Sequence, residues 1–189
     1  MCFNYEVSIG TFIFSWSSAI YLLTQKKLTT KQYQDVIFLM IFSSMQGADA
    51  ILWLNKMKKN NINYIVTSYV IPLILSAQII YNLFVRAPQS PNSLKLVSIL
   101  LCIYAFVRFN GYSKSACNNY FSSPIWGSQE IEYWEFCIFI LLFVYPNVNF
   151  FFIGAIIVIP IIQYIFNGGY GSMFCAVANG GALWYLYKY

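Results

Sequence analysis

Histidine is absent from this chain, and charge of either sign is scarce. The 189 residues carry six acidic and eleven basic side chains, 9% in all, against the roughly 25% usual in soluble globular domains. Without histidine, neither a Ser-His-Asp nor a Cys-His catalytic arrangement can form within the chain. The commonest metal ligand and the usual haem ligand are missing for the same reason. Five cysteines (Cys2, Cys102, Cys117, Cys137, Cys175) show no CxxC spacing, so neither a zinc ribbon nor a redox dithiol is indicated. The paired aspartates or histidine cluster that an intramembrane protease or a ceramidase-like hydrolase needs are lacking. A retinal Schiff base has no lysine deep in a late apolar stretch, since Lys188 stands at the very end of the last one. Nucleic acid is not an expected partner, because the basic residues form no contiguous face. Lys26, Lys27 and Lys31 make one short cluster and Lys56, Lys58 and Lys59 another, placed as flanking charges that anchor helix ends at headgroups.

What the chain does have is apolar length. Hydrophobic residues make up 59% of it, in seven stretches at about 7–24, 35–54, 64–85, 94–109, 133–145, 150–166 and 172–187. A helix needs about 20 apolar residues to cross the hydrocarbon core, where every backbone group must bond within its own segment. The pattern predicts an all-α fold: one polytopic transmembrane helical bundle over 1–189, with seven spans, or six if a short stretch is re-entrant, and membrane lipid as its solvent and partner. The first stretch lacks a basic leader and a small-residue cleavage site, so it is expected to stay as the first span. Pro72 and Pro160 fall inside stretches and are expected to bend them. Residues 111–132 form the longest polar segment. Their mixture of aromatic and turn residues predicts an ordered loop on the headgroups. The side of the N-terminus collects Lys56, Lys58, Lys59, Arg108 and Lys114. The other collects Lys26, Lys27, Lys31, Arg86, Lys95 and Lys188, and an outside N-terminus is the expectation.

Polar groups at membrane depth are costly and therefore informative. Asp49 is the sharpest case. Ser43, Gln46, Asp49 and Trp53 share one helix face by their spacing, and that face should point into the bundle. Two readings stand for it: a proton- or ligand-binding site with Asp49 as the titrating group and Gln46 and Trp53 shaping the pocket, or a polar lock between helices. In the last stretch Ser172, Cys175 and Asn179 are interleaved with Ala176, Gly180 and Gly181. Small residues there point to close helix packing, and a thiol-lined site is the alternative. Glu6 and Ser8 stand at the mouth of the first stretch, with Ser15, Ser17 and Ser18 deeper. Glu6 is also a simple helix-dipole partner. Gln78, Asn82 and Gln163 are further candidates for the interior.

Three places carry a resemblance. The chain opens Met1-Cys2-Phe3-Asn4, the second stretch has Gln46, Asp49 and Trp53, and the last opens Gly171-Ser172-Met173-Phe174-Cys175. Together these resemble a group of small uncharacterised multi-pass membrane proteins found in bacteria and large DNA viruses. Their pattern is Met-Cys-Phe-Ser at the start, Gln-x-x-acid-x-x-x-Trp in the middle and Gly-Ser-x-Trp-Cys near the end. The chain departs from it at Asn4 and at Phe174. The resemblance implies that Cys2, Gln46, Asp49 and Cys175 converge in space, and it implies no reaction.

The expected function is a non-enzymatic membrane protein with an internal polar pocket for a small ligand, lipid or ion. Its candidate binding residues are Cys2, Glu6, Ser8, Gln46, Asp49, Trp53, Ser172, Cys175 and Asn179. A soft metal such as Cu(I) would suit the two thiols. The alternatives are a channel or transporter for protons or small solutes past Asp49, and a structural component of a viral membrane.

Overall fold

The computed structural model describes residues 5–25, 27–117, 122–129, 131–146, 157 and 170–189. They form an all-α bundle with one small hairpin at its end. The helices are α1 (Tyr5–Leu23), α2 (Thr30–Leu54), α3 (Asn61–Arg86), α4 (Asn92–Arg108), α5 (Tyr133–Val144) and α6 (Tyr170–Lys188). Strands β1 (Lys114–Cys117) and β2 (Ser122–Ile125) pair antiparallel, Lys114 opposite Ile125. The stretch expected at 150–166, with Pro160 and Gln163, lies outside the described residues. By length and composition α1, α2 and α3 are apolar enough to cross a membrane, and α5 is a shorter apolar helix.

Local chemistry sets the helix ends. Thr29 caps α2 in a capping box: Gln32 N–H donates to Thr29 Oγ1 and Thr29 N–H to Gln32 Oε1. The turn from α2 to α3 passes through Lys56 and Met57, both with positive φ (54° and 51°). Reciprocal amide bonds between Asn55 and Asn60, 2.9 and 2.8 Å, clamp that turn. A second capping box, Glu132 with Glu135, starts α5.

Pro72 does more than bend α3. A proline has no N–H, and its ring clashes with the carbonyl four residues back. The helix meets this with a π-helical turn, Val66–Val70, in which Ile71 N–H reaches back to Val66 O. A second π segment, Tyr81–Arg86, closes the helix.

α2 is the central element. It packs on α1, α3 and α6, and 61% of its most apolar window is buried, against 28% for α1. Gly47 lets the α1 side close in, because a Cβ there would sit 3.3 Å from the Phe12 ring. One apolar core joins α2, α3, α4, α5 and Trp126, and a smaller one joins α1, α2 and α6 through Ala19, Leu22, Val36, Leu39 and Ala182.

Large apolar side chains also cover the outside of the bundle, while polar ones lie inside beside the apolar cores. Ile65, Tyr69, Leu73, Ile80 and Phe84 of α3 and Leu96, Leu100, Ile103 and Val107 of α4 are exposed. Ser8, Ser15, Ser43, Gln46, Asp49, Asn63, Thr67, Gln78 and Asn82 are buried.

Candidate functional site: the Asp49–Trp126 junction and its neighbouring cavity

Periodicity alone places Ser43, Gln46, Asp49 and Trp53 on one face of α2, and the structure puts that face inside. Ser43, Gln46 and Asp49 are at most 1% exposed, while Trp53 is half-buried. Ser43 is spent locally, its hydroxyl donating to Leu39 O at 2.7 Å. Gln46 Oε1 accepts from Thr11 Oγ1 of α1 at 3.0 Å. Thr11 Oγ1 also lies 3.0 Å from Ser8 O, so these three residues form a polar seam between α1 and α2. Ser8 Oγ and Gln46 Nε2 are buried there with no hydrogen-bond partner among the described residues. Further along α1, Ser15 Oγ donates to Asn179 Oδ1 of α6 at 3.0 Å.

Asp49 looks the other way, toward the hairpin. Trp126 Nε1–H donates to Asp49 Oδ1 at 2.8 Å, and the two residues are 4% and 0% exposed. A chain of local causes brings Trp126 there. Asn63, Thr67 and Ser68 of α3 meet the incoming segment 110–113. Asn63 Nδ2 donates to Ser113 O and Asn63 Oδ1 accepts from Ser113 N, at 2.9 and 2.8 Å. Thr67 and Ser113 share a hydroxyl bond of 2.7 Å, and Ser68 Oγ accepts from Gly111 N at 2.9 Å. The hairpin is thus tied to α3 before it turns. Gly127 then adopts φ +80°, with a Cβ position 3.4 Å from Phe109 Cα, a backbone that suits glycine. The Trp126 ring meets Phe109 edge-on, with centroids 6.3 Å apart.

Beside this junction lies a partly open cavity of about 30 Å³. Phe42 of α2, Leu75 and Gln78 of α3, Trp126, and Phe139 and Phe143 of α5 are among its walls. Gln78 is 2% exposed, and its Oε1 accepts no hydrogen bond among the described residues. Trp126 belongs to both junction and cavity: its N–H serves Asp49, and its side chain lines the cavity.

The sequence-expected residues therefore part company. Asp49 bonds Trp126, which lines the cavity, Gln46 and Ser8 belong to the α1–α2 seam, and Asn179 belongs to the α1–α6 contact. Glu6 is exposed on the first turn of α1, where it faces the helix dipole. Cys2 and the side chains of Ser172 and Cys175 lie outside the described residues. No group of three or more metal-binding side chains occurs among the described residues. The described part of the segment 111–132 is not simply laid on the end of the bundle: Ile125 and Trp126 are drawn into the core. Trp126 escaped sequence reading because it stands in a polar stretch without periodicity. The Trp126-Gly127 pair was the available signal.

Two ion pairs also went unread. At the end of the bundle opposite the hairpin, Asp35 Oδ1 accepts from Arg86 Nε and a terminal nitrogen at 2.9 and 2.6 Å. Tyr189 donates to Asp35 Oδ2 at 3.0 Å. Arg86 also donates to Asn82 Oδ1, and Asn82 Nδ2 donates to Leu142 O and Tyr145 O, both at 2.8 Å. α2, α3, α5 and the end of the chain are thus pinned together. At the hairpin end, Glu135 accepts from Arg108 Nε at 2.8 Å and from the Tyr104 hydroxyl. Burial and the nearby Asp35 raise the Tyr189 phenol above the ordinary tyrosine range.

No protein-family model matches this chain, and no curated protein or solved structure is significantly similar to it.

Proposed function

We propose that this chain is an integral membrane protein, non-enzymatic, that holds a small lipid-soluble ligand in the cavity beside Trp126. The observation that carries the reading is a partly open cavity of about 30 Å³ with apolar walls, Phe42, Trp126, Phe139 and Phe143 among them. Concave, largely apolar sites with a few convergent polar groups are the usual form of small-molecule sites. The apolar side chains exposed on α3 and α4 and three membrane-length helices support a bilayer as its solvent.

Seven crossings fit this placement. Tyr189 meets Asp35 near the start of α2, whereas the first turn of α1 lies toward the other end of α2, where Thr11 meets Gln46. The described ends thus lie at opposite ends of the bundle, which is consistent with an odd number of crossings. Transport past Asp49 has less support, because its carboxylate is sealed beneath the Trp126 indole.

The test fills the cavity. Leu75→Phe should displace a bound small molecule, whereas Leu96→Phe, on the exposed face of α4, should not. Native mass spectrometry of gently extracted protein reads the difference. A small molecule on wild type and Leu96→Phe that is missing from Leu75→Phe supports the reading. A wild-type protein that carries nothing, and takes up no added apolar compound, sinks it.

A further inference from the structure

The cavity beside Trp126 lies at a particular depth. Phe42 is the central residue of α2 (Thr30–Leu54), and Leu75 and Phe139 stand close to the midpoints of α3 (Asn61–Arg86) and α5 (Tyr133–Val144). Three helices thus line it with residues from their middles. In a bundle that spans a bilayer, this level is the middle of the hydrocarbon core, about 15 Å from either interface. That is where the acyl chains of the two leaflets end.

The walls exclude water. A buried water needs about two to four polar partners. Phe42, Leu75, Phe139 and Phe143 offer none, the Trp126 N–H is given to Asp49, and Gln78 Oε1 is itself buried. An ionised or ester group would be desolvated there without compensation. An empty space would cost the lining its dispersion contacts on that side. The fitting occupant is therefore apolar, and its size is bounded. The volume of about 30 Å³ is about two to three times the 10–15 Å³ that one water takes, and far below the roughly 150 Å³ of a benzene-binding cavity. A ring does not fit. The last carbons of an unbranched chain do, and the opening lets the rest of the chain leave.

We infer that the cavity holds the methyl end of an acyl chain of a membrane lipid, which enters at the bilayer midplane while its headgroup stays at the interface. This rests on the ligand-binding reading above and narrows it to a ligand recognised by its tail.

The experiment places the full chain in phosphatidylcholine vesicles doped with one of two photoreactive phosphatidylcholines. One carries an alkyl diazirine at the end of an acyl chain, the other beside the carboxyl group of that chain. Adducts are assigned to residues by tandem mass spectrometry. Phe42 and Phe139 are 7% and 5% exposed, so labelling them requires entry into the cavity. The terminal probe should label both residues about tenfold more than the carboxyl probe, since an ester carried between apolar walls loses its hydrogen bonds to water. Leu75→Phe should abolish that labelling and leave unchanged the labelling of Leu100 and Ile103 on the exposed face of α4. Equal labelling of Phe42 and Phe139 by the two probes would overturn the inference, as would labelling that survives in Leu75→Phe. Labelling confined to exposed residues would overturn it too. If native mass spectrometry then still shows a small molecule lost from Leu75→Phe, the ligand-binding reading stands; if it shows none on wild type, both fall. The two probes are compared on wild type alone, so a poorly folded Leu75→Phe leaves the inference testable.

Discussion

Removing the indole N–H of Trp126 tests whether the hairpin is latched to the bundle through Asp49. Trp126→Phe keeps an aromatic ring against Phe109 but deletes the donor that sits 2.8 Å from Asp49 Oδ1. Leaving a buried acceptor without its donor costs about 1–3 kcal/mol, and the smaller ring adds a packing loss of about 1 kcal/mol. The expected loss is about 2–4 kcal/mol, because both partners are buried and water cannot replace the missing donor. Asp49→Ala should cost about 1–3 kcal/mol by leaving the Trp126 N–H buried without its carboxylate. The decisive quantity is the double-mutant coupling, expected at about 1.5–3 kcal/mol, measured as reversible unfolding in mixed micelles. Trp184→Phe, at a site 54% exposed, is the control and should stay within about 0.5 kcal/mol of wild type. If the two substitutions are additive within about 0.5 kcal/mol, the latch is refuted and Asp49 is a polar residue held by other contacts.

Asn63→Ala should cost about 2–3 kcal/mol and release the hairpin, since both its amide atoms bond Ser113; hydrogen exchange at 110–117 should speed up while that of α1 does not. Glycine positions should divide by sign in thermal melts. Gly10→Ala, in a helix with open space around it, should stabilise by about 0.5–1 kcal/mol, whereas Gly127→Ala should destabilise by about 1–2 kcal/mol because its φ is +80°. The raised Tyr189 phenol means that the folded chain holds that proton more tightly than the unfolded chain. The associated stability is complete below the ordinary tyrosine value of about 10 and is lost as pH rises beyond it. Denaturant melts at about pH 8 and about pH 10.5 should therefore converge more closely for Tyr189→Phe than for wild type, and equal pH slopes would contradict the Asp35 contact.

The all-α class, the approximate extents of the six described helices and the inward face of Ser43, Gln46 and Asp49 were legible in the sequence. Each depends on a repeat that a helix makes local: apolar length, capping residues and the three-to-four residue spacing of one face. Pro72 was legible as a perturbation, but not as the π turn, Val66–Val70, that precedes it. Which helix each polar residue would face was not legible. Gln46 looked equivalent to Asp49, yet the first bonds α1 and the second bonds a tryptophan 77 residues away. Asp35 read as the edge of an apolar stretch, and Arg86 as a loop charge, until folding placed them 2.6 Å apart. The sequence by itself determined that this chain must hide its few polar groups from an apolar surrounding, because unsatisfied polar groups are costly there. Only the tertiary structure decided which of them found partners and which, like Gln78 Oε1, stayed buried without a hydrogen bond among the described residues, because that depends on contacts between residues far apart in the chain.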